Sequence, residues 1–167
     1  MDKIIRRAVR CYLIKNNKVL AIKYKEGQPK TGYYDIPGGK VEQGENPEQA
    51  ALREMIEETS IIVKDLKHKG LMTIQYPNRK FILDVFYTDT FEGEVNEAEE
   101  NLAEWISIQE LLTKDKKIST INLLEEEYIG GLINDNKSFI MNINVDENEN
   151  ILRIDYKNEC CKMQEER

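Results

Sequence analysis

Three glutamates and one arginine are set at helical spacing between residues 53 and 58. On an α-helix, positions three and four apart share a face, so Glu54 would neighbour both Glu57 and Glu58. Each like-charge pair costs about 0.2–0.5 kcal/mol, and the C-terminal half of a helix disfavours anions. A hard divalent cation reverses both penalties, because carboxylate oxygens are the ligands that Mg²⁺ selects. The cluster therefore indicates either a metal site or a solvated acidic face of a helix.

A longer pattern of glycine, charged and aliphatic residues surrounds this cluster. Its members in chain order are Gly39, Glu45, Arg53, Glu54, Met55, Glu57, Glu58, Ser60 and Ile61. At every charged position the pattern resembles the Nudix box, the signature of the Nudix hydrolase family. Ser60 is the one departure, because the family usually has glycine there. Glycine permits a left-handed helix cap without strain, whereas serine costs roughly 1 kcal/mol or more unless the helix ends differently.

Short-range signals predict the helix that must present the box. Asn46 is a good N-cap, and Pro47 suits the first helical position, where its missing N–H costs nothing. The residues predicted to face the core are Leu52, Met55, Ile56 and Thr59, with the glutamates on another face.

Alternating apolar and polar runs predict strands on both sides of this helix. They are Ile4–Ile14, Lys18–Ile22, Tyr33–Ile36, Leu71–Gln75, Phe81–Tyr87, Trp105–Ile108, Phe139–Val145 and Ile151–Tyr156. A second helix is predicted from Ser119 or Thr120 to about Ile129. The irregular interleaving indicates a mixed α/β architecture, and the resemblance implies an α/β/α sandwich with a mixed sheet. We expect a single domain over residues 1–157 and a frayed tail over residues 158–167.

Composition narrows the classes of partner and site. The chain has 167 residues and a net charge of −7, which disfavours binding of a nucleic-acid polymer through the overall field. One histidine, His68, excludes a multi-histidine zinc site. No apolar run approaches the roughly 20 residues of a membrane span, and the three cysteines lack metal spacing. We expect a cytoplasmic protein with no membrane partner, and the sequence leaves its oligomeric state open.

The resemblance implies hydrolysis of a nucleoside diphosphate linked to another group, with Mg²⁺ or Mn²⁺ held by the box helix. Such a metal neutralises the pyrophosphate and lowers the pKa of the attacking water. The arrangement is most similar to MutT-type members, which cleave nucleoside triphosphates, with an ordinary or an oxidised base, to the monophosphate and pyrophosphate. Two alternatives stay open: a pyrophosphatase acting on ADP-ribose or a nucleotide sugar, and a nucleotide-binding domain without catalysis.

Carried over by position, Glu54, Glu57 and Glu58 are the expected metal ligands. Glu54 is the first candidate to receive the proton from water, with Arg53 as its orienting partner, and Glu57 is the second. Glu45 is expected to brace the loop or to reach a metal through water.

The resemblance also implies residues outside the box. A further acidic ligand is expected just before Trp105, at Glu100 or Glu99, unless that loop is merely solvated. Trp105 itself is expected in the core. The candidate substrate-binding residues are Gly38, Gly39, Lys40, Lys23 and Asn122. The glycines would turn the backbone, the lysines would contact phosphate, and Asn122 would read a base edge. An ordinary surface lysine at 40 and a solvent-facing asparagine at 122 are the alternatives.

Overall fold

The structure, a computed structural model, describes residues 3–96 and 101–160. Nine strands are found in these ranges: β1 (Ile4–Lys15), β2 (Lys18–Tyr24), β3 (Tyr34–Asp35), β4 (Gly38–Lys40), β5 (Ile62–Gln75), β6 (Arg79–Glu92), β7 (Asn101–Ser107), β8 (Lys137–Val145) and β9 (Ile151–Cys160). The helices of the same ranges are α1 (Pro47–Thr59), α2 (Ile108–Leu112), a 3-10 helix (Ser119–Leu124) and α3 (Glu126–Ile133).

The nine strands form one mixed sheet. Its main order is β3-β2-β1-β6-β5-β8-β9, while β4 pairs with β1 and β7 pairs with β2. The β1/β6 and β5/β8 pairs are parallel, and the other pairs are antiparallel. The mixed sheet predicted from the sequence is therefore confirmed.

Helices cover both faces of the sheet. On one face, α1 packs Ala51 and Met55 against a cluster that includes Val9, Cys11 and Leu13 of β1. On the other face, α2, the 3-10 helix and α3 contribute buried residues to a second, larger cluster. This layering is the α/β/α sandwich that the resemblance implied. Within the described part of the chain, none of the helices is long and apolar enough to cross a bilayer.

Helix α1 begins and ends at the predicted residues. The Asn46 side chain accepts from the N–H of Gln49 (2.8 Å), and the Gln49 side chain accepts from the N–H of Asn46 (2.9 Å), which forms a capping box. At the other end Ser60 adopts the left-handed conformation (φ 65°), and its N–H donates to the carbonyl of Ile56 (3.0 Å). The serine therefore occupies the strained cap that glycine would occupy without cost.

The buried face of α1 differs from the predicted one. Ile56 is 53% exposed, so its placement in the core was wrong. The residues of α1 that are buried are Ala50, Ala51, Met55 and Thr59. Two adjacent alanines let the helix approach the sheet closely, so they lie against the sheet in place of the larger isoleucine. In this orientation Glu54 and Glu58 are partly buried beside β4, not turned fully away from the core as predicted.

Several boundaries also depart from the predictions. Strand β4 was not predicted, and β5 begins at Ile62, directly after α1. The predicted second helix is divided, because Glu125 is extended (φ −65°, ψ 147°) between the 3-10 helix and α3. Trp105 is only partly buried, and β7 ends at Ser107, which caps α2. Strand β9 continues to Cys160, beyond the predicted domain end at residue 157.

Candidate active site

The two glycines of β4 allow α1 to lie against β1. Gly38 pairs with Arg10 and Gly39 pairs with Val9 in an antiparallel ladder. A Cβ atom on Gly38 would lie 2.0 Å from the carbonyl oxygen of Val9, and one on Gly39 would lie 2.1 Å from Oε1 of Glu54. The position of Gly38 therefore excludes a side chain because the obstacle is backbone, whereas a side chain at Gly39 would have to displace a catalytic candidate, the Glu54 carboxylate.

Arg53 binds three acidic residues of the box at once. Its Nη2 and Nε atoms donate to the two carboxylate oxygens of Glu45 at 2.7 and 3.1 Å. Its Nη1 atom donates to Oε1 of Glu54 (2.8 Å) and to Oε2 of Glu57 (3.1 Å). Nη2 also donates to the carbonyl of Lys40 (2.9 Å), which ties α1 to β4. These hydrogen bonds raise the pKa of Arg53 and lower the pKa of Glu45. Glu45 thus braces the arginine.

Glu58 lies on the inner side of the cluster. Its Oε2 atom accepts from the N–H of Gly38 (3.3 Å). Burial raises the pKa of Glu58 to about 8; the charge of Arg10 opposes this shift and the charge of Glu54 adds to it. Burial also raises the pKa of Glu54, against the hydrogen bond from Arg53. Burial therefore favours the protonated form of Glu58, and a bound cation would take the place of that proton.

The donor set suits a hard divalent cation. The three carboxylates at positions 54, 57 and 58 are oxygen ligands on one helix, and two of them have raised pKa values, so an added cation would relieve their repulsion and desolvation. Within residues 3–96 and 101–160, no three acidic, histidine or cysteine side chains form a ready-made metal site. Arg53 holds Glu54 and Glu57, so a cation would have to draw these carboxylates away from the arginine. The predicted further ligand, Glu100 or Glu99, lies outside the described residues.

The predicted phosphate-binding lysines have different surroundings. The Lys40 side chain is exposed at the end of β4. The backbone carbonyl of the same residue accepts the hydrogen bond from Arg53. The Lys23 ammonium lies 5.4 Å from the ring centroid of Tyr34, a cation–π contact on the second strand. The main chain of Lys40 therefore contacts Arg53, whereas the Lys23 side chain contacts Tyr34.

Asn122 is buried rather than facing solvent. It is 3% exposed on the 3-10 helix, and among the described residues its Nδ2 atom has no hydrogen-bond partner. It borders a surface pocket together with Ser119, Lys117 and Asn150. An unpaired buried amide is costly, so this side chain suits a ligand that supplies an acceptor.

A buried ionic network next to the box was not predicted. Asp35 is 2% exposed and accepts from Arg10 (3.3 Å), from the hydroxyl of Tyr24 (2.9 Å) and from Oγ1 of Thr120 (2.9 Å). Arg10 lies in the ladder opposite Gly38, the residue whose N–H binds Glu58. The sequence contained a signal for this network, because a charged residue interrupts each of two apolar strands: Arg10 in the first and Asp35 in the third.

A pocket adjoins this network. It encloses about 120 Å³. Its wall includes Arg10, Asp35, Tyr76, Arg79 and Phe81. The Arg79 guanidinium lies 4.2 Å from the ring centroid of Tyr76. Because Arg10 and Asp35 also lie next to the Gly38–Glu58 contact, the pocket and the glutamate cluster are neighbouring parts of one region.

Comparison with known proteins assigns the family. The family described as the NUDIX domain matches residues 4–126. The 8-oxo-dGTP diphosphatase of Escherichia coli (strain K12) is 30% identical over 100 residues, which are 60% of this chain and 78% of that protein. The NAD-capped RNA hydrolase NudC of Haemophilus influenzae is 34% identical over 105 residues, which are 62% of this chain and 39% of that protein.

The fold has close structural counterparts. A crystal structure of a MutT protein from Bacillus halodurans superposes with a TM-score of 0.75 at 22% identity, over 91% of this chain and 97% of that chain. This superposition shows the same fold, and the family match over residues 4–126 includes the whole box helix. The chain belongs to the Nudix hydrolase family and is a pyrophosphohydrolase of the MutT type.

Proposed function

We propose that this enzyme hydrolyses a nucleoside triphosphate, with an ordinary or an oxidised purine base, to the monophosphate and pyrophosphate. The observation that carries the proposal is the adjacency of the glutamate cluster to a pocket with aromatic and cationic walls. The aromatic and cationic wall of this pocket suits the face of a flat base, while the cluster suits the polyphosphate with its cation. The similarity to a diphosphatase over 78% of that protein's length supports the same substrate class.

The cofactor we propose is Mg²⁺ or Mn²⁺, held by Glu54, Glu57 and Glu58, with Glu100 as a candidate further ligand. When bound, the metal would neutralise the polyphosphate and lower the pKa of the attacking water. The rest of the chemistry belongs to the chain's own side chains. Glu54 is the first candidate to accept the proton from water, because Arg53 fixes its carboxylate at 2.8 Å and Gly39 leaves room for it. Glu57, held by the same arginine atom, is the second candidate.

Two further contacts concern the phosphates and the base. Lys40 lies at the end of β4, where its flexible ammonium can reach a phosphate beside the cluster; Lys23 is a second candidate that would have to leave the Tyr34 ring. Asn122 borders a second pocket, which shares Ile118 with the first. Its buried amide N–H₂ group, unpaired among the described residues, would donate to a carbonyl oxygen of a base that extends from the first pocket into the second. An oxidised purine presents an additional carbonyl oxygen, so a preference for oxidised bases would be consistent with this donor.

The proposal predicts a specific order of substrates. In a panel of ordinary and oxidised purine triphosphates, ADP-ribose and a nucleotide sugar, assayed with Mg²⁺ or Mn²⁺, a triphosphate should give the highest kcat/KM. The products, separated by chromatography, should be the monophosphate and pyrophosphate. Faster turnover of ADP-ribose than of every triphosphate would overturn the proposed substrate and favour the alternative, a nucleotide-sugar or ADP-ribose pyrophosphatase.

A variant at Asn122 separates base recognition from catalysis. Asn122→Ala should raise KM for the preferred purine triphosphate about tenfold or more, because one good hydrogen bond to a base is lost, with a small change in kcat. The matched control is Asn142→Ala, at an exposed position on β8. If both variants behave alike, Asn122 does not read the base.

We also propose that residues 3–160 fold as one domain, because the single sheet runs from β3 to β9. Limited proteolysis should then leave the sheet residues in one resistant fragment. Early separation of the β8–β9 hairpin from the rest would contradict this arrangement.

A further inference from the structure

Strand β9 forms one edge of the sheet. Within the described residues its only strand partner is β8, with Tyr156 opposite Met141 and Ile154 opposite Ile143. The outer edge of a ten-residue strand therefore presents a row of backbone N–H and C=O groups to the surroundings. Such an edge can pair with another strand unless its side chains prevent this.

The two faces of β9 differ in character. On one side, the Tyr156 ring packs 5.0 Å from that of Tyr128 on α3. On the other side, four charged residues alternate in sign along the strand. They are Arg153, Asp155, Lys157 and Glu159. Their side chains are between 47% and 73% exposed, and Arg153 pairs with Asp155 at 2.7 Å while Lys157 pairs with Glu159 at 2.8 Å.

This alternation is complementary to itself when the strand is reversed. If two copies of β9 pair antiparallel about a two-fold axis at Tyr156, Arg153 of one copy faces Glu159 of the other. In the same register Asp155 faces Lys157. Directly opposite residues in an antiparallel pair have side chains on the same face, so the two-fold axis creates four cross-strand pairs of opposite charge.

The charge pattern also excludes the neighbouring registers. A shift of the pairing by two residues would place Arg153 opposite Lys157 and Asp155 opposite its own copy, so like charges would face each other. A shift by one residue would place the charged face of one strand against the opposite face of the other. Only the register centred on Tyr156 satisfies all four charged positions.

We propose that the β9 edge binds a second copy of this chain, through antiparallel pairing of β9 with β9 centred on Tyr156. The outer edge of β9, unpaired among the described residues, supplies backbone hydrogen bonds, and the alternating charges fix the register. Strands β6, β5 and β8 separate β9 from β1, beside which the glutamate cluster lies. Both active sites would therefore remain open to substrate in the dimer.

Sedimentation equilibrium of the full chain over a range of concentrations tests this interface. The wild type should sediment as a dimer at high concentration, and rising salt should weaken the dimer. Lys157→Glu should raise the dissociation constant about tenfold or more, because two symmetry-related attractions become repulsions. Lys116→Glu is the matched control, since it makes the same charge change at an exposed position outside β9, and it should leave the dissociation constant unchanged.

A double exchange distinguishes contacts between chains from contacts within the strand. Asp155→Lys combined with Lys157→Asp keeps opposite charges across the two-fold axis but puts like charges side by side along each strand. The proposed interface predicts that this double variant dimerises more tightly than Lys157→Glu alone. A wild type that is monomeric at every concentration, or a double variant no tighter than the single one, would overturn the proposal. Far-UV circular dichroism and turnover per chain verify that each variant is folded.

Discussion

Replacing Glu58 with glutamine should make the metal-free protein more stable at neutral and alkaline pH. The glutamate is partly buried between α1 and β4, and burial raises its pKa from 4.5 to about 8. Glutamine keeps the shape of the side chain and an oxygen that can accept from the Gly38 N–H, now 3.3 Å from Glu58. The substitution therefore removes mainly the cost of ionising a desolvated carboxyl group.

The size of the effect follows from proton linkage. Between pH 4.5 and about 8 the folded state of the wild type binds more protons than the unfolded state, so its free energy of unfolding falls as pH rises. The cost of ionising Glu58 is absent below pH 4.5, reaches about 3 kcal/mol at pH 7 and levels off at about 5 kcal/mol above pH 8. The Glu58→Gln variant does not bear this cost.

Urea denaturation in the presence of a chelator measures the difference directly. The free energy of unfolding of the variant should exceed that of the wild type by an amount that grows about 1.4 kcal/mol per pH unit up to about pH 8. Glu57→Gln is the control, because it removes the same charge from the same helix at a side chain that is 57% exposed, and it should change the free energy of unfolding much less. Addition of Mg²⁺ should stabilise the wild type more than Glu58→Gln. A variant less stable than the wild type at pH 8, or a difference independent of pH, would show that ionisation of Glu58 does not destabilise the fold.

Three further predictions concern the glycines, the helix end and the metal. Gly39→Ala should lower kcat at least tenfold with the fold retained, because its Cβ would displace the movable Glu54 side chain. Gly38→Ala should mainly lower the melting temperature, because its Cβ would lie 2.0 Å from a backbone carbonyl oxygen. Equal effects of the two substitutions on stability would contradict this. Ser60→Gly should raise the free energy of unfolding by about 1 kcal/mol in chemical denaturation, since φ at this position is 65°, and a loss of stability would contradict a strained cap. The apparent affinity for Mg²⁺, measured calorimetrically, should increase as pH rises towards about 8, because the cation replaces the proton on Glu58; affinity that falls over this range would be inconsistent with the assigned ligand.

The parts of the site that depend on local spacing could be predicted from the sequence. The helix bounds follow from Asn46, Pro47 and the residues near position 60, and these signals act within one or two turns. Arg53 was expected to orient Glu54, and the two are joined at 2.8 Å. These contacts connect residues that a single helix brings together, so they need no knowledge of the rest of the fold.

The parts that depend on tertiary pairing could not be predicted in this way. Strand β4 has three residues, two of them glycines, and therefore lacks any strand propensity; only its pairing with β1 makes it a strand. The Arg10–Asp35 contact joins residues 25 positions apart, and it exists because β2 and β3 bring Asp35 beside β1. The orientation of α1 was likewise decided by packing, because hydrophobicity favours Ile56 for the core while the close approach to the sheet favours the smaller alanines.

The central claim is that the box glutamates hold the divalent cation used in hydrolysis. A titration of the protein with Mn²⁺, followed by electron paramagnetic resonance, tests this claim most directly. The wild type should bind Mn²⁺ in the presence of a nucleotide analogue that it cannot cleave. The double variant Glu54→Gln/Glu57→Gln, with its fold verified by circular dichroism, should bind at least about tenfold more weakly. Equal binding by the two proteins would show that these carboxylates do not hold the metal and would contradict the account.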